Sequence, residues 1–270
     1  MLFRSYSKAV TERKTYQRPT EKFSMITSKN NQQIKNIRRL AESGKARRKE
    51  GLFVAEGERI CSEIPKEILH EIYVSESFAA GAEDVFENAC VVADDVFGSV
   101  SDTVTPQGVL ALVRQPSFAL EEVLASRNTL VILDEIRDPG NLGTIIRTSE
   151  AAGAAVVISS SSADIFNPKT VRATMGSIFR VPFYIAKEEL AETCRMIKQA
   201  GVRIYGAALE ASSELDKACF AEKRAFVIGN EANGISSAVL KECDERIRIP
   251  MKGKVESLNA AVSAAILLYH

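Results

Sequence analysis

From residue 130 onward the chain repeats one pattern: a short apolar run, a polar or glycine-containing turn, then a segment with helical spacing. The runs fall at 130–133, 155–158, 202–208, 225–228 and 247–249. The first, Leu130-Val131-Ile132-Leu133, is apolar at every position and has no face to offer to water. Strands of this kind belong to parallel sheets covered by helices on both sides. The segments 142–152, 169–179, 188–200 and 258–269 read as the covering helices, with Gly153 and Gly201 as stops. The alternation predicts an α/β domain with a parallel sheet over residues 129–270.

The first half is organised differently. Ile34, Ile37, Leu40 and Ala41 recur at helical spacing, Gly44 reads as a stop, and 45–49 is a charged continuation. Short strands are expected at 52–55, 71–74, 90–92 and 109–113, with a helix at 58–64 ended by Pro65. Residues 25–114 therefore read as a small α/β unit, and 115–128 as a linker with a short amphipathic turn. Residues 1–24 are polar, basic and without apolar periodicity. They are expected to be a disordered basic extension, with a mitochondrial-type presequence or an upstream start before Met25 as alternatives; no apolar core of a secretory signal is present.

Charge separates the two ends of the chain. Overall it is neutral, but residues 1–50 carry 14 Lys/Arg against 4 Asp/Glu, so the remainder is net negative by the same amount. A basic arm on an acidic body points to a polyanionic partner or, more plainly, to a solvated tail. No apolar run approaches the roughly 20 residues of a membrane span. Five scattered cysteines without a CxxC pair read as reduced thiols of the cytoplasm, and with only His70 and His270 no metal site is expected.

Three segments depart from ordinary strand–helix turns. Asp138-Pro139-Gly140-Asn141 follows the first buried strand, at the carboxyl edge where α/β sites form. Asn141 fits the N-cap of the next helix. Arg147 lies six residues on, about 600° round, so the two would reach different parts of one site. Phe226-Val227-Ile228-Gly229-Asn230-Glu231 ends a strand in glycine and presents a carboxylate; Gly229 would let a ligand approach the backbone. Ile249-Pro250-Met251 leads to Ser257-Leu258-Asn259 and an alanine-rich helix that Ser257 could cap. Neither a GxGxxG fingerprint nor a P-loop is present, which weighs against a conventional nucleotide enzyme. Taken singly, each feature could be a cap or an exposed charge.

Together they resemble the signature motifs of the SpoU/TrmH RNA 2′-O-ribose methyltransferases, within the SPOUT class. The match runs as NLGTIIRTSEAAG at 141–153, FVIGNEANGIS at 226–236 and IPMKGKVESLNAAVSAAI at 249–266, with NPKTVRATMGSIFRVP at 167–182 also similar. Residues 25–114 resemble the small, ribosomal-protein-like substrate-binding domain of many members. The resemblance implies a deep trefoil knot in the C-terminal domain, S-adenosylmethionine as cofactor and a homodimer. It implies catalytic roles for Asn141, Arg147, Glu231, Ser257 and Asn259. It places the cofactor against Ala208, Leu209, Gly229, Ile249, Met251 and Leu258, largely through backbone groups. Arg38, Arg39, Arg47, Arg48 and Lys49, with Lys29, Lys35 and Lys45, become candidate phosphate contacts on RNA. Ribosomal RNA is favoured over tRNA by the two-domain layout; a non-catalytic RNA-binding relative is the other alternative.

Overall fold

The structure is a computed structural model that describes residues 25–81, 86, 88–210, 213–255 and 257–270. The basic extension 1–24 lies outside the described residues.

Helix α1 (Gln32–Glu42) buries Ile34, Ile37 and Leu40 completely, and Asn31 caps it by accepting the Gln33 N–H at 2.8 Å. The stop is Ser43 rather than Gly44. Ser43 ends α1 and its hydroxyl caps a second helix, α2 (Gly44–Glu50), which Gly51 closes at φ +64°. There follow β1 (Leu52–Glu56), α3 (Glu58–Ser62), β2 (Leu69–Ser75), α4 (Glu76–Gly81), β3 (Cys90–Val92), α5 (Asp94–Gly98) and β4 (Val109–Arg114). The four strands form a sheet in the order β1-β4-β2-β3, with β4 antiparallel to both its neighbours.

The second unit opens with α6 (Leu120–Ser126), a helix where a linker turn is expected; Leu120 and Val123 bury its apolar side. The order continues β5 (Thr129–Leu133), α7 (Pro139–Ala151), β6 (Ala155–Ile158), α8 (Pro168–Thr174), β7 (Phe183–Ile185), α9 (Leu190–Gln199) and β8 (Arg203–Ala207). It closes with β9 (Ser213–Glu214), β10 (Arg224–Ile228), α10 (Ser237–Glu242), β11 (Glu245–Arg248) and α11 (Ala260–Leu268). The sheet runs β7-β6-β5-β10-β8-β11-β9 with every pairing parallel. Successive residues of β5 feed different cores: Val131 and Leu133 one, Leu130 and Ile132 the other, all four fully buried. That is the double coverage predicted from an unbroken apolar run.

The expected helix 169–179 is broken. Asn167 caps α8 and Pro168 starts it, but Met175 at φ +50° and Gly176 at φ +89° reverse the chain, leaving a separate 3-10 turn at Ser177–Phe179. Strands β7 and β9 and helix α10 are not legible from apolar periodicity, being short or flanked by polar residues.

The two units share a core rather than a tether. Phe53 of β1 packs on Phe166 and Phe179, with ring centroids 5.0 and 6.4 Å apart. Arg180 joins Glu63 of the first unit to Glu150 of α7, and Arg172 of α8 pairs with Asp102 at 2.5 Å.

Candidate active site

The carboxyl edges of β8, β10 and β11 deliver their loops to one cavity of about 570 Å3, which the start of α11 completes. Its wall includes Ala208, Leu209, Gly229, Ile249, Met251 and Leu258, together with Glu231 and Ser257. Buried Ile228, Ile235 and Ile247 add apolar surface from the strand ends. The volume lies in the range of small-ligand sites. A wall of aliphatic side chains and loop backbone suits a flat heteroaromatic group with a polar edge, as adenosine has, so the residues fit the implied cofactor.

Local chemistry shapes each loop. The loop after β10 closes on itself through a pair of 2.9 Å backbone bonds between Asn230 and Gly234. The Asn230 amide accepts from Ala232 and Asn233 N–H and donates to the Glu135 carbonyl at 2.9 Å. Buried Asp134 accepts the Ser236 N–H at 2.7 Å. These bonds tie the loop to the end of β5 and hold Glu231 opposite the start of α7. Neither Asp134 nor Asn230 is among the sequence candidates; the signal was a buried-position carboxylate and amide ending apolar strands.

Two caps differ from expectation. Asp138, not Asn141, caps α7, accepting the Asn141 N–H at 2.7 Å, with Pro139 in the first helical position. Relieved of capping, the Asn141 side chain donates to Glu231 Oε1 at 2.9 Å. Asn259, not Ser257, caps α11, its Oδ1 accepting from Ala261 at 2.9 Å and Val262 at 3.3 Å. The Asn259 Nδ2 donates to Asn141 Oδ1 at 2.9 Å. The result is a one-way chain, Asn259 to Asn141 to the Glu231 carboxylate, joining the three motifs. Its polarity is set at one end by an acceptor-only carboxylate.

Gly229 also differs. A Cβ there would lie 2.2 Å from Gly234 C and Ile235 N. The missing side chain makes room for the chain's own loop, while the Gly229 backbone stays in the cavity wall.

Arg147 is exposed on α7, outside the hydrogen-bonded chain, and its guanidinium has no partner among the described residues. It falls one helical turn beyond Gly143, where a Cβ would meet Ala173 at 2.5 Å, and one before Glu150, which bonds Arg180. Arg147 therefore rides the seam between α7 and α8.

The RNA candidates separate. Arg48 and Lys49 are exposed on α2. Arg38 donates to Ser99 Oγ at 3.2 Å, and Arg39 is engaged by Glu50. Arg47 is buried and corrects the expectation of a phosphate contact. It donates to the Leu40 and Ala41 carbonyls at 2.7 and 3.0 Å, and through two nitrogens to Asp164 Oδ2 at 3.0 and 2.8 Å. Its charge sat in a basic run, but its place on α2 turns it inward, where it ties α2 to α1 and the first unit to Asp164 of the second. Among the described residues no cluster of possible metal ligands occurs and no helix is long and apolar enough to cross a membrane.

Known proteins give the same picture. The profile of the SpoU rRNA Methylase family matches residues 128–269, and that of the MRM3-like substrate binding domain matches 31–111. The 23S rRNA (guanosine(2553)-2′-O)-methyltransferase RlmP of Bacillus subtilis (strain 168) is 37% identical over 249 residues, 91% of this chain and 98% of its own. The AdoMet-bound rRNA methyltransferase from Sinorhizobium meliloti matches with a TM-score of 0.78 at 30% identity, over 91% of this chain and 96% of its own. The SpoU methyltransferase AviRb from Streptomyces viridochromogenes, in complex with AdoMet, gives 0.75 at 26% identity over 88% and 96%. With both profiles in chain order and the three motifs joined at one cavity, this chain belongs to the SpoU rRNA Methylase family.

Proposed function

We propose that this protein transfers a methyl group from S-adenosylmethionine to the 2′-hydroxyl of a guanosine ribose in 23S rRNA. The observation that carries the reading is the Asn259–Asn141–Glu231 chain at the rim of a cavity lined by the loops of a SpoU-type domain. The target class is supported by the RlmP relative's name and by the substrate-binding domain in the first half.

The bound cofactor supplies an electrophilic methyl on a sulfonium, already a good leaving group. The protein's task is then to position and activate a weakly acidic hydroxyl. A guanidinium has donors and no acceptor, so Arg147 serves by holding a neighbouring phosphate and stabilising charge developing on the ribose oxygen. The proton leaves to that phosphate or to water. Glu231, engaged by Asn141, orients rather than deprotonates. Asn259 locks the orientation, and Ser257 at the cavity wall faces the reacting groups. Ala208, Leu209, Gly229, Ile249, Met251 and Leu258 hold the cofactor. Arg38, Arg39, Arg48 and Lys49 hold RNA backbone away from the reaction centre.

Incubation with methyl-labelled cofactor and separate rRNA and tRNA pools, then mapping of the modified nucleotide, tests the reading. Label is expected at a ribose of 23S rRNA. Label confined to tRNA moves the substrate, and none in either pool removes the activity.

Three further features belong to this proposal. The protein is a homodimer, supported by α11, apolar apart from Ser263, whose Val262 and C-capping Tyr269 are 46% and 66% exposed. Val262→Asp is expected to halve the sedimenting mass; an unchanged dimer would place the contact elsewhere. The C-terminal domain carries the trefoil knot, supported by the convergence of its last loops on one cavity. Single-molecule stretching should then leave the unfolded chain short of its contour length. The protein acts in the cytoplasm, supported by five free thiols, and cell fractionation checks it.

A further inference from the structure

We propose that Arg137 is a second RNA-gripping arginine of this site, held ready by Glu135, and that it binds a phosphate beside the target nucleotide. The inference rests on the RNA reading above.

The starting point is backbone strain. Glu135 is one of three non-glycine residues with positive φ among the described residues, at +56°. A glutamate costs more in this conformation than glycine, which adopts it freely. The turn is nevertheless enforced from both sides: the Glu135 N–H donates to Ser159 Oγ at 2.9 Å, and its carbonyl accepts from Asn230 at 2.9 Å. Strain kept in this way clusters at functional sites. Among the described residues the Glu135 side chain makes one bond: its Oε2 accepts from Arg137 Nη2 at 2.9 Å.

That ion pair contributes little to the fold, because its side chains are 68% and 37% exposed and water screens it. Its position is the informative part. Arg137 lies directly before Asp138, the cap of α7, and its backbone N–H points at Glu231 Oε2 from 3.5 Å. Its backbone thus borders the Asn259–Asn141–Glu231 chain, and Glu135 holds the guanidinium to the same turn. Only Nη2 is engaged; Nε and Nη1 have no partner among the described residues. A planar fork with open donors, beside a site that must hold a polyanion, suits bidentate phosphate recognition. Glu135 keeps the fork raised until a phosphate, with more acceptor oxygens, replaces it. Arg147 lies ten residues further on, so α7 carries one exposed arginine ahead of its N-terminus and another in its third turn.

The test uses the full-length protein and a 23S rRNA fragment containing the mapped target. Arg137→Ala is expected to raise KM for RNA about tenfold, the loss of one charge-assisted contact, with kcat within about twofold. The slope of log affinity against log salt should fall by about one, while cofactor binding by calorimetry stays at the wild-type value. Arg137→Lys should recover the salt slope but not the KM, since an ammonium restores charge without the fork. An Arg137→Ala protein with wild-type KM and salt slope overturns the proposal. So does a change in sedimenting mass in place of the salt slope, which would make Arg137 a subunit contact. Wild-type protein that methylates no RNA instead removes the parent reading, so the two failures are distinguishable.

Discussion

At Gly229 a methyl group would fall 2.2 Å from the backbone of Gly234 and Ile235. No side-chain rotation relieves a clash with main chain. Gly229→Ala is therefore expected to destabilise the protein by about 2 kcal/mol, read as a lower urea midpoint at unchanged m-value. Asn259 permits a cleaner separation of roles, because it both caps α11 and donates to Asn141. Aspartate caps as well as asparagine but cannot donate. Asn141 Oδ1 would then face a carboxylate that offers no proton, and turning the amide over would take Nδ2 from Glu231. Asn259→Asp should keep stability within about 0.5 kcal/mol and lose activity at least tenfold, measured as kcat. Equal loss of stability and activity would mean that Asn259 is a cap alone. Candidate residues of this kind are readable from motif position, whereas their partners are not: both cap assignments moved by a few residues because helix starts depend on which side chain the tertiary structure leaves free.

Among the elements, α2 shows how a charge run can mislead. Arg47, Arg48 and Lys49 are consecutive, yet successive helical residues point about 100° apart, and only Arg47 turns inward. Arg47→Ala would leave the Leu40 and Ala41 carbonyls and the Asp164 carboxylate without their donor. A cost of about 3 kcal/mol is expected by denaturation, with the salt slope of RNA binding unchanged. Arg48→Ala should do the reverse: unchanged stability and a slope shallower by about one. If Arg47→Ala alters the slope and not the stability, its burial is irrelevant to its role. Helix α8 carries a related lesson. Apolar spacing continues through 169–179, but the positive φ at Met175 and Gly176 is a property of the turn the fold requires between α8 and β7.

For the whole molecule, the Arg180 cluster, which also reaches Glu63 of the first unit, contributes to acid sensitivity. The Arg180 side chain hydrogen-bonded to Glu150 holds that carboxyl below the ordinary glutamate range, with a further bond from Ser177. A carboxylate whose folded pKa is lowered contributes stability fully present above its unfolded value, about 4.3, and lost as pH falls through the folded one. The wild-type protein should accordingly lose stability more steeply with acid below about pH 4.3 than Glu150→Gln, in denaturation series across that range. Parallel curves would show that the Arg180–Glu150 pair adds nothing to stability.

Much of this protein is written in local pattern. Unbroken apolar runs determine a doubly covered parallel sheet, because a strand without a polar face must be buried on both sides. Spaced Ile34, Ile37 and Leu40 determine α1, and the three motifs at strand ends point to the candidate site. What only the tertiary structure decided is which side chains are left free to act. The cap of α7 falls to Asp138 and releases Asn141, Gly229 serves its own loop, Arg47 is drawn inward by Asp164, and Glu135 is held in a strained turn beside Arg137. Each depends on partners between 3 and 117 residues away along the chain. Periodicity reports burial, but hydrogen-bond partners are assigned only once the elements have packed.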